Sequence, residues 1–197
     1  MQKTFHMQRR EIKKITYLIT LILTTLLFVY FLRTPTTINM KQAHKINQQH
    51  QTIFLIRHGE RCDRSKNACL SSNKGITVNG AIKARDYGKI FSNTFPSFSL
   101  YSTDTIRTMQ TACFFSGGKA ASRIPLAATC GLDAAKNILK LSSDNKTTVI
   151  FTHNHCLTQI AKKMKWWKLK PEYLETLVLH IENNRLILDG KLTHDKA

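Results

Sequence analysis

"TIFLIRHGERCD", residues 52–63, decides the fold. Five apolar or β-branched positions are followed at once by Arg57, His58, Glu60, Arg61, Asp63 and Arg64. A continuous apolar run without polar alternation predicts a strand covered on both faces, as in a parallel sheet between helices. Two further runs fit the same pattern, "FSLYST" at 98–103 and "TTVIFTH" at 147–153. Helical spacing follows each strand. Ala81, Ala84, Gly88 and Phe91 come after a possible cap at Asn79, then Ile106, Met109 and Cys113, then Leu157, Ile160, Ala161 and Met164. "TLVLHIENNRLILDG", 176–190, predicts a hairpin turning at Asn183 and Asn184, a dipeptide that tolerates positive φ. The expected fold is therefore α/β, a parallel-rich sheet flanked by helices with an antiparallel edge. Ligands in such sheets sit beyond the carboxyl ends of the strands, so the charge at 57–64 marks where a site begins.

Ahead of this domain, residues 15–32, "ITYLITLILTTLLFVYFL", carry no charge. As a helix the run is about 27 Å long, enough to span a bilayer. Lys3, Arg9, Arg10, Lys13 and Lys14 precede it with only Glu11 opposed, so the positive-inside rule keeps the N-terminus cytoplasmic and sends the remainder outward, to the periplasm in a bacterial envelope. A core helix would carry a polar face, and a cleaved signal peptide would end in small residues rather than in "YFLRTPTTINM". The expected organisation is a basic cytoplasmic tail at 1–14, a transmembrane anchor at 15–32, a tether at 33–51 and a catalytic domain at 52–197. A cleaved signal segment and a soluble periplasmic domain are the alternative.

Cysteine and charge add constraints. Export permits disulfides, and Cys62 with Cys69 could close a short loop directly after the charged turn. Cys130 with Cys156 is a second possible pair, and Cys113 is expected as a buried free thiol on a helix's apolar face. The net charge of +18 attracts polyanions. Its lysines are scattered, without a basic helix, zinc-finger spacing or paired aromatics, so nucleic acid is not the expected partner. Anionic lipid headgroups or a phosphorylated glycolipid are.

The three strand ends deliver Arg57 and His58, Arg107 one turn into the second helix, and His153. Guanidinium forks hold phosphate oxygens bidentately, and a neutral imidazole can attack phosphorus. Fixed cations there act most strongly on the charge of a phosphoryl group in transit.

"FLIRHGER", "YSTDTIRTMQTA" and "VIFTHNHC", in that order over residues 52 to about 190, resemble the histidine phosphatase superfamily in its phosphoglycerate-mutase-like branch. The resemblance implies that His58 is the nucleophile that becomes phosphohistidine and that Arg57, Arg107 and His153 hold the phosphate. A carboxylic acid would protonate the leaving oxygen, Asp133 in "TCGLDAAKN" as first candidate and Glu60 as second. Arg61 and Arg64 would extend the positive rim. Asn154 and His155 stand where many relatives have glycine, so they would make a bulkier, more polar substrate wall. No cofactor and no metal is implied, although His153, His155 and Cys156 in "HNHC" could be read as ligands. Three other readings compete: a tethered non-catalytic module that binds anionic glycolipid, a mutase, and a histidine phosphatase for another periplasmic phosphate ester.

Overall fold

The computed structural model describes residues 2–142 and 146–192, with side chains from Ile12 onward. Lys3, Arg9 and Arg10 of the expected tail, residues 143–145 and the last five residues of the expected domain lie outside that description. The chain separates into two units, Met1–Thr34 and Pro35–Ala197.

The first unit is one helix, α1 (Gln2–Leu32). Its Ile12–Leu32 stretch has a mean hydropathy of 2.3 and is long enough to cross a membrane. The polar interruptions are threonines, and Thr16 and Thr20 donate their hydroxyls to the carbonyls of Ile12 and Thr16, at 2.9 and 2.8 Å. Bonded back to the helix in this way, they add little polarity to its surface.

The second unit begins earlier than the sequence suggested, because residues beyond Thr34 do not remain a tether. Asn39 and Gln42 form a reciprocal capping box that starts α2 (Met40–Gln49), and Ile38, Met40 and Ala43 are buried. Asn47 Nδ2 donates to Lys146 O and Thr147 Oγ1 at 3.2 and 3.0 Å. The helix is thus part of the folded body.

There follow β1 (Thr52–Arg57), α3 (Val78–Thr94), β2 (Ser99–Thr103), α4 (Ile106–Phe115), β3 (Ser122–Ile124), α5 (Ala134–Leu141), β4 (Thr147–Thr152), α6 (Asn154–Lys165), β5 (Thr176–Glu182) and β6 (Arg185–Leu192). The strands form one sheet in the order β3-β2-β4-β1-β5-β6. β1, β2, β3 and β4 run parallel, and β5 and β6 add the expected antiparallel edge. Both asparagines of the hairpin turn take positive φ, 48° at Asn183 and 58° at Asn184.

Alternation along β1 explains its all-apolar sequence. Phe54 and Ile56 pack with Ala84, Tyr87, Phe91 and Phe115 on one face, while Ile53 and Leu55 pack with Ile138, Leu157 and Ile160 on the other. α2, α3 and α4 therefore cover one face of the sheet, and α5 and α6 the other.

Two local expectations need correction. The cap of α3 is Thr77, whose side chain accepts from Gly80 N, rather than Asn79. The buried face of α4 is Thr108, Thr111, Ala112 and Phe115, so Ile106 is half exposed and Cys113 is an exposed free thiol. Threonines face inward there because they bond within the site, a role that an apolar-periodicity reading cannot see.

Candidate active site

β1 and β4 are parallel neighbours with Arg57 opposite Thr152, so His58 and His153 leave the sheet side by side. The helix after β1 lies on one face and the helix after β4 on the other, which opens a crevice between the two strand ends. The centroids of the two imidazoles are 5.4 Å apart, edge to face. Both side chains are buried, with His58 2 % and His153 3 % exposed.

His58 Nδ1 donates to the Gly59 carbonyl at 2.8 Å, since a carbonyl can only accept. That bond fixes the tautomer and leaves the Nε2 lone pair for attack. Burial, helped by His153, Arg57 and Arg107, lowers the His58 pKa to about 3. Burial, then Arg107, His155, Arg61 and Arg57, lowers that of His153 to about 4. Both rings are neutral at pH 7, which suits a nucleophile. Thr103 Oγ1 lies 3.2 Å from His153 Nε2, and Thr108 Oγ1 in turn donates to the Thr103 carbonyl at 2.6 Å. Thr103 at the end of β2, backed by Thr108 of α4, thereby orients the second histidine.

The arginines complete the cluster. Arg57 Nη1 donates to Pro171 O at 2.6 Å, and its guanidinium carbon sits 4.0 Å above the centre of the Tyr173 ring. Arg107 is set by the first turn of α4, where Thr111 Oγ1 donates to the Arg107 carbonyl at 2.6 Å and accepts from Gly59 N at 3.0 Å. One hydroxyl therefore ties the turn after His58 to the helix that carries Arg107. Burial, then neighbouring positive charge, lowers the pKa of Arg107, and burial is also the main cause for Arg57. The Nε atoms of both arginines are buried without a hydrogen-bond partner. Among the described residues no carboxylate is hydrogen-bonded or ion-paired to Arg57, Arg107, His58 or His153.

Sequence reading missed Tyr173 and Glu175. Tyr173 lies under Arg57 and 6.0 Å from the His58 ring. Buried Glu175 accepts from Glu172 N at 3.0 Å and pairs with Lys191 at 3.2 Å, which braces the loop whose carbonyl receives Arg57 N. Nothing in "KPEYLET" signals either role, because the loop reaches the site only through the antiparallel pairing of β5 with β1.

Neither expected acid is placed as one. Glu60 accepts from Thr77 Oγ1 at 2.7 Å, from Asn67 Nδ2 at 2.9 Å and from Ser65 Oγ at 3.0 Å. Those bonds, the one to Thr77 foremost, hold its pKa below the ordinary value, so it is an ionised brace for the loop after the nucleophile. Asp133 is exposed at the N-cap of α5 and is absent from the charges that act on His58, His153, Arg57 or Arg107. A linear motif order could not show that the Asp133 loop runs along the middle of α6, where Gly131 N meets Gln159 Oε1 at 3.1 Å.

Arg61 and Arg64 do bring positive charge to the cluster, acting on both Arg57 and Arg107. Arg61 is held by a bidentate pair with Asp63. Asn154 and His155 are exposed in the first turn of α6, with the His155 ring stacked 5.6 Å from that of His153. The positive end of the α6 dipole begins immediately after His153, which adds to the pull on an anion.

Both suggested cysteine pairs are disulfides, Cys62–Cys69 and Cys130–Cys156. His155 Nε2 is 3.3 Å from Cys130 Sγ, so Cys130, His155 and Cys156 cluster as metal ligands would. The joined sulfurs are not thiolates, and the "HNHC" segment does not make a ligand set with them.

Comparisons with known proteins agree with this geometry. No family model matches the chain. Lipopolysaccharide core heptose(II)-phosphate phosphatases from Salmonella schwarzengrund and Salmonella newport are each 49 % identical over 156 residues, covering 78 % of this chain and 78 % of theirs. Among solved structures, the protein histidine phosphatase SixA complexed with tungstate has a TM-score of 0.57 at 13 % identity, covering 73 % of this chain and 97 % of that one. Phosphoserine phosphatase from Entamoeba histolytica has a TM-score of 0.55 at 16 % identity, covering 72 % and 96 %. Its fold is that of the histidine phosphatase SixA, and the chain belongs to the lipopolysaccharide core heptose(II)-phosphate phosphatase family.

Proposed function

We propose that the protein hydrolyses the phosphomonoester on heptose(II) of the lipopolysaccharide core through a phosphohistidine at His58. The observation that carries the chemistry is the cluster itself: two buried neutral imidazoles and two arginines with unpartnered Nε atoms, none paired to a carboxylate. Such a group is complementary to a phosphate dianion and has little other use. The family's name carries the choice of sugar.

His58 Nε2 attacks phosphorus, so the P–N bond forms as the bond to the sugar oxygen breaks. Arg57, Arg107 and His153 hold the equatorial oxygens as charge spreads over them. The departing sugar oxygen takes its proton from water at the mouth of the crevice, because Glu60 and Asp63 are both held ionised by hydrogen bonds. The hydroxide left by that proton transfer then attacks phosphorus, the P–N bond breaks, hydrogen phosphate leaves and His58 returns to its neutral form. Arg61, Arg64, Asn154 and His155 form the rim that meets the rest of the glycolipid. α1 fits a membrane anchor or a signal sequence. We read it as an uncleaved inner-membrane anchor that leaves the folded unit in the periplasm.

The test is phosphate release from phosphorylated lipopolysaccharide core by the full chain, with chelator and without added metal, beside His58→Ala. Release by the wild type alone, with an acid-labile phosphoryl adduct on it, is the expected result. Equal release by both proteins, or none from any phosphate ester with binding intact, overturns the proposal.

A further inference from the structure

Away from the catalytic cluster, the folded unit carries one groove of unusual chemistry. It has a volume of about 630 Å³ and is lined by Gly131, Leu132, Gln159, Lys162, Lys163 and Trp166. Leu132 is 86 % and Trp166 76 % exposed, whereas the other large apolar side chains exposed on this unit range from 40 to 46 %. Leaving both in water wastes apolar area that the fold buries elsewhere.

The exposure is built in. Trp166 caps α6 in the left-handed conformation, φ 59°, and accepts no help from glycine there. That turn sends Trp167 and Leu169 into the core, 7 % and 6 % exposed, and leaves the Trp166 indole outside. Across the groove, Lys163 Nζ donates to the Leu132 carbonyl at 2.6 Å and Gly131 N donates to Gln159 Oε1 at 3.1 Å, which holds the Leu132 loop against α6.

Charge identifies the occupant. Lys162 and Lys163 line the groove beside the indole, Lys165, Lys168 and Lys170 are exposed within four residues of Trp166 in sequence, and the sequence has no acid from Lys146 to Pro171. Asp133 is the one acid in the Leu132 loop, and Asp189 faces Lys165. An exposed indole and a leucine ringed by lysines match the boundary between anionic headgroups and acyl chains, where tryptophan sits and lysine snorkels.

We infer that the Leu132–Trp166 groove is a membrane-docking site that seats the folded unit on an anionic phospholipid surface. Membrane contact here is separate from α1 and independent of turnover, so it stands or falls apart from the catalytic reading.

The chain offers a clean probe, because its only two tryptophans are Trp166 and Trp167 and α1 has none. The full chain would be reconstituted into vesicles of neutral phosphatidylcholine, or of phosphatidylcholine with phosphatidylglycerol, with bromine on the acyl chains. Excitation of tryptophan alone should show quenching and a blue shift in the anionic vesicles. The signal should be lost in Trp166→Phe, retained in Trp167→Phe, and weakened about tenfold or more in apparent affinity by Lys162→Glu with Lys163→Glu or by raised salt. Hydrolysis of a soluble phosphate ester by the lysine variant reports that it is folded. No quenching in either vesicle, equal quenching in both, or quenching that survives the lysine reversals overturns the inference. The first of these outcomes would assign the groove to a protein partner.

Discussion

The His58 and His153 rings meet edge to face at 5.4 Å with Arg57 and Arg107 acting on both, and no described carboxylate pairs with either ring. Burial first, and then the neighbouring positive groups, keep both imidazoles neutral. Their protonation follows what enters the crevice.

The pH dependence of kcat/KM reports the free enzyme, in which His58 must be unprotonated to attack. With its pKa lowered to about 3 and that of His153 to about 4, the acid limb should fall near pH 4 or below. An NMR titration of the imidazoles in the ligand-free protein checks this apart from the phosphate ester's own second ionisation at about 6, and midpoints near 6.5, the value of a free imidazole, would contradict the buried neutral pair.

Stability should move the same way. In the unfolded chain both histidines titrate near 6.5, so from there down to about pH 4 the unfolded state takes up protons that the folded state does not. The contribution is complete above pH 6.5 and is lost as pH falls, on the order of a few kcal/mol for the pair. Thermal melts should show Tm dropping between pH 7 and 4.5, less steeply in His58→Ala. Sulfate, a permanent dianion, should raise Tm more at pH 5 than at pH 7.5.

Tyr173 supports the Arg57 fork from below at 4.0 Å. Tyr173→Ala should lower kcat/KM by about tenfold, while Tyr173→Phe keeps the stacking face and most of the activity. Arg57→Lys should cost about ten- to a hundredfold, since an ammonium neither stacks as a plane nor forks. Steady-state kinetics on the variants decides, and equal effects of Phe and Ala would remove the ring from the account.

Asp133→Asn should leave kcat/KM within about threefold, because the side chain is exposed and outside the cluster. Glu60→Gln should instead destabilise the fold by about 1–2 kcal/mol through the loop it braces, without moving the pH limbs. Denaturant melts and pH profiles of the two variants separate brace from acid. A hundredfold loss in Asp133→Asn would return that residue to the acid role.

The Cys130–Cys156 bond closes 26 residues and Cys62–Cys69 closes 7. By loop entropy the longer bridge contributes about 3 kcal/mol and the shorter about 2. A reductant should therefore lower Tm, and Cys130→Ser with Cys156→Ser should reproduce most of that fall. Identical melts with and without reductant would count against both bridges.

Sheet, strand ends and hairpin were legible in the sequence because each is written locally: an unbroken apolar run, a period of helical spacing, two asparagines that accept positive φ. His58, Arg57, Arg107 and His153 followed, since strand ends point where sheets bind ligands. What escaped was written non-locally or in polar residues. The α4 threonines point inward to serve His153 and Gly59, against the apolar stripe of Ile106 and Met109. Tyr173 reaches Arg57 only through strand pairing, and chain order could not show that Asp133 is exposed at the start of α5. Residues 36–49 carried a readable capping box in Asn39 and Gln42, yet their polarity made them look like linker.

Arg57 stands opposite Thr152 across a parallel pair, so the two halves of the cluster are 95 residues apart in sequence (57 to 152) and one strand spacing apart in space. Arg57 and His58 share the end of β1, but no hairpin, helix or other local substructure brings them to His153 or Arg107. Catalytic competence is therefore a late event of assembly, gained only when the long loop between β1 and β4 has closed and β2 has delivered α4 beside them. A chain still extended, as one in transit across a membrane must be, carries every residue of the machinery and no reactive centre.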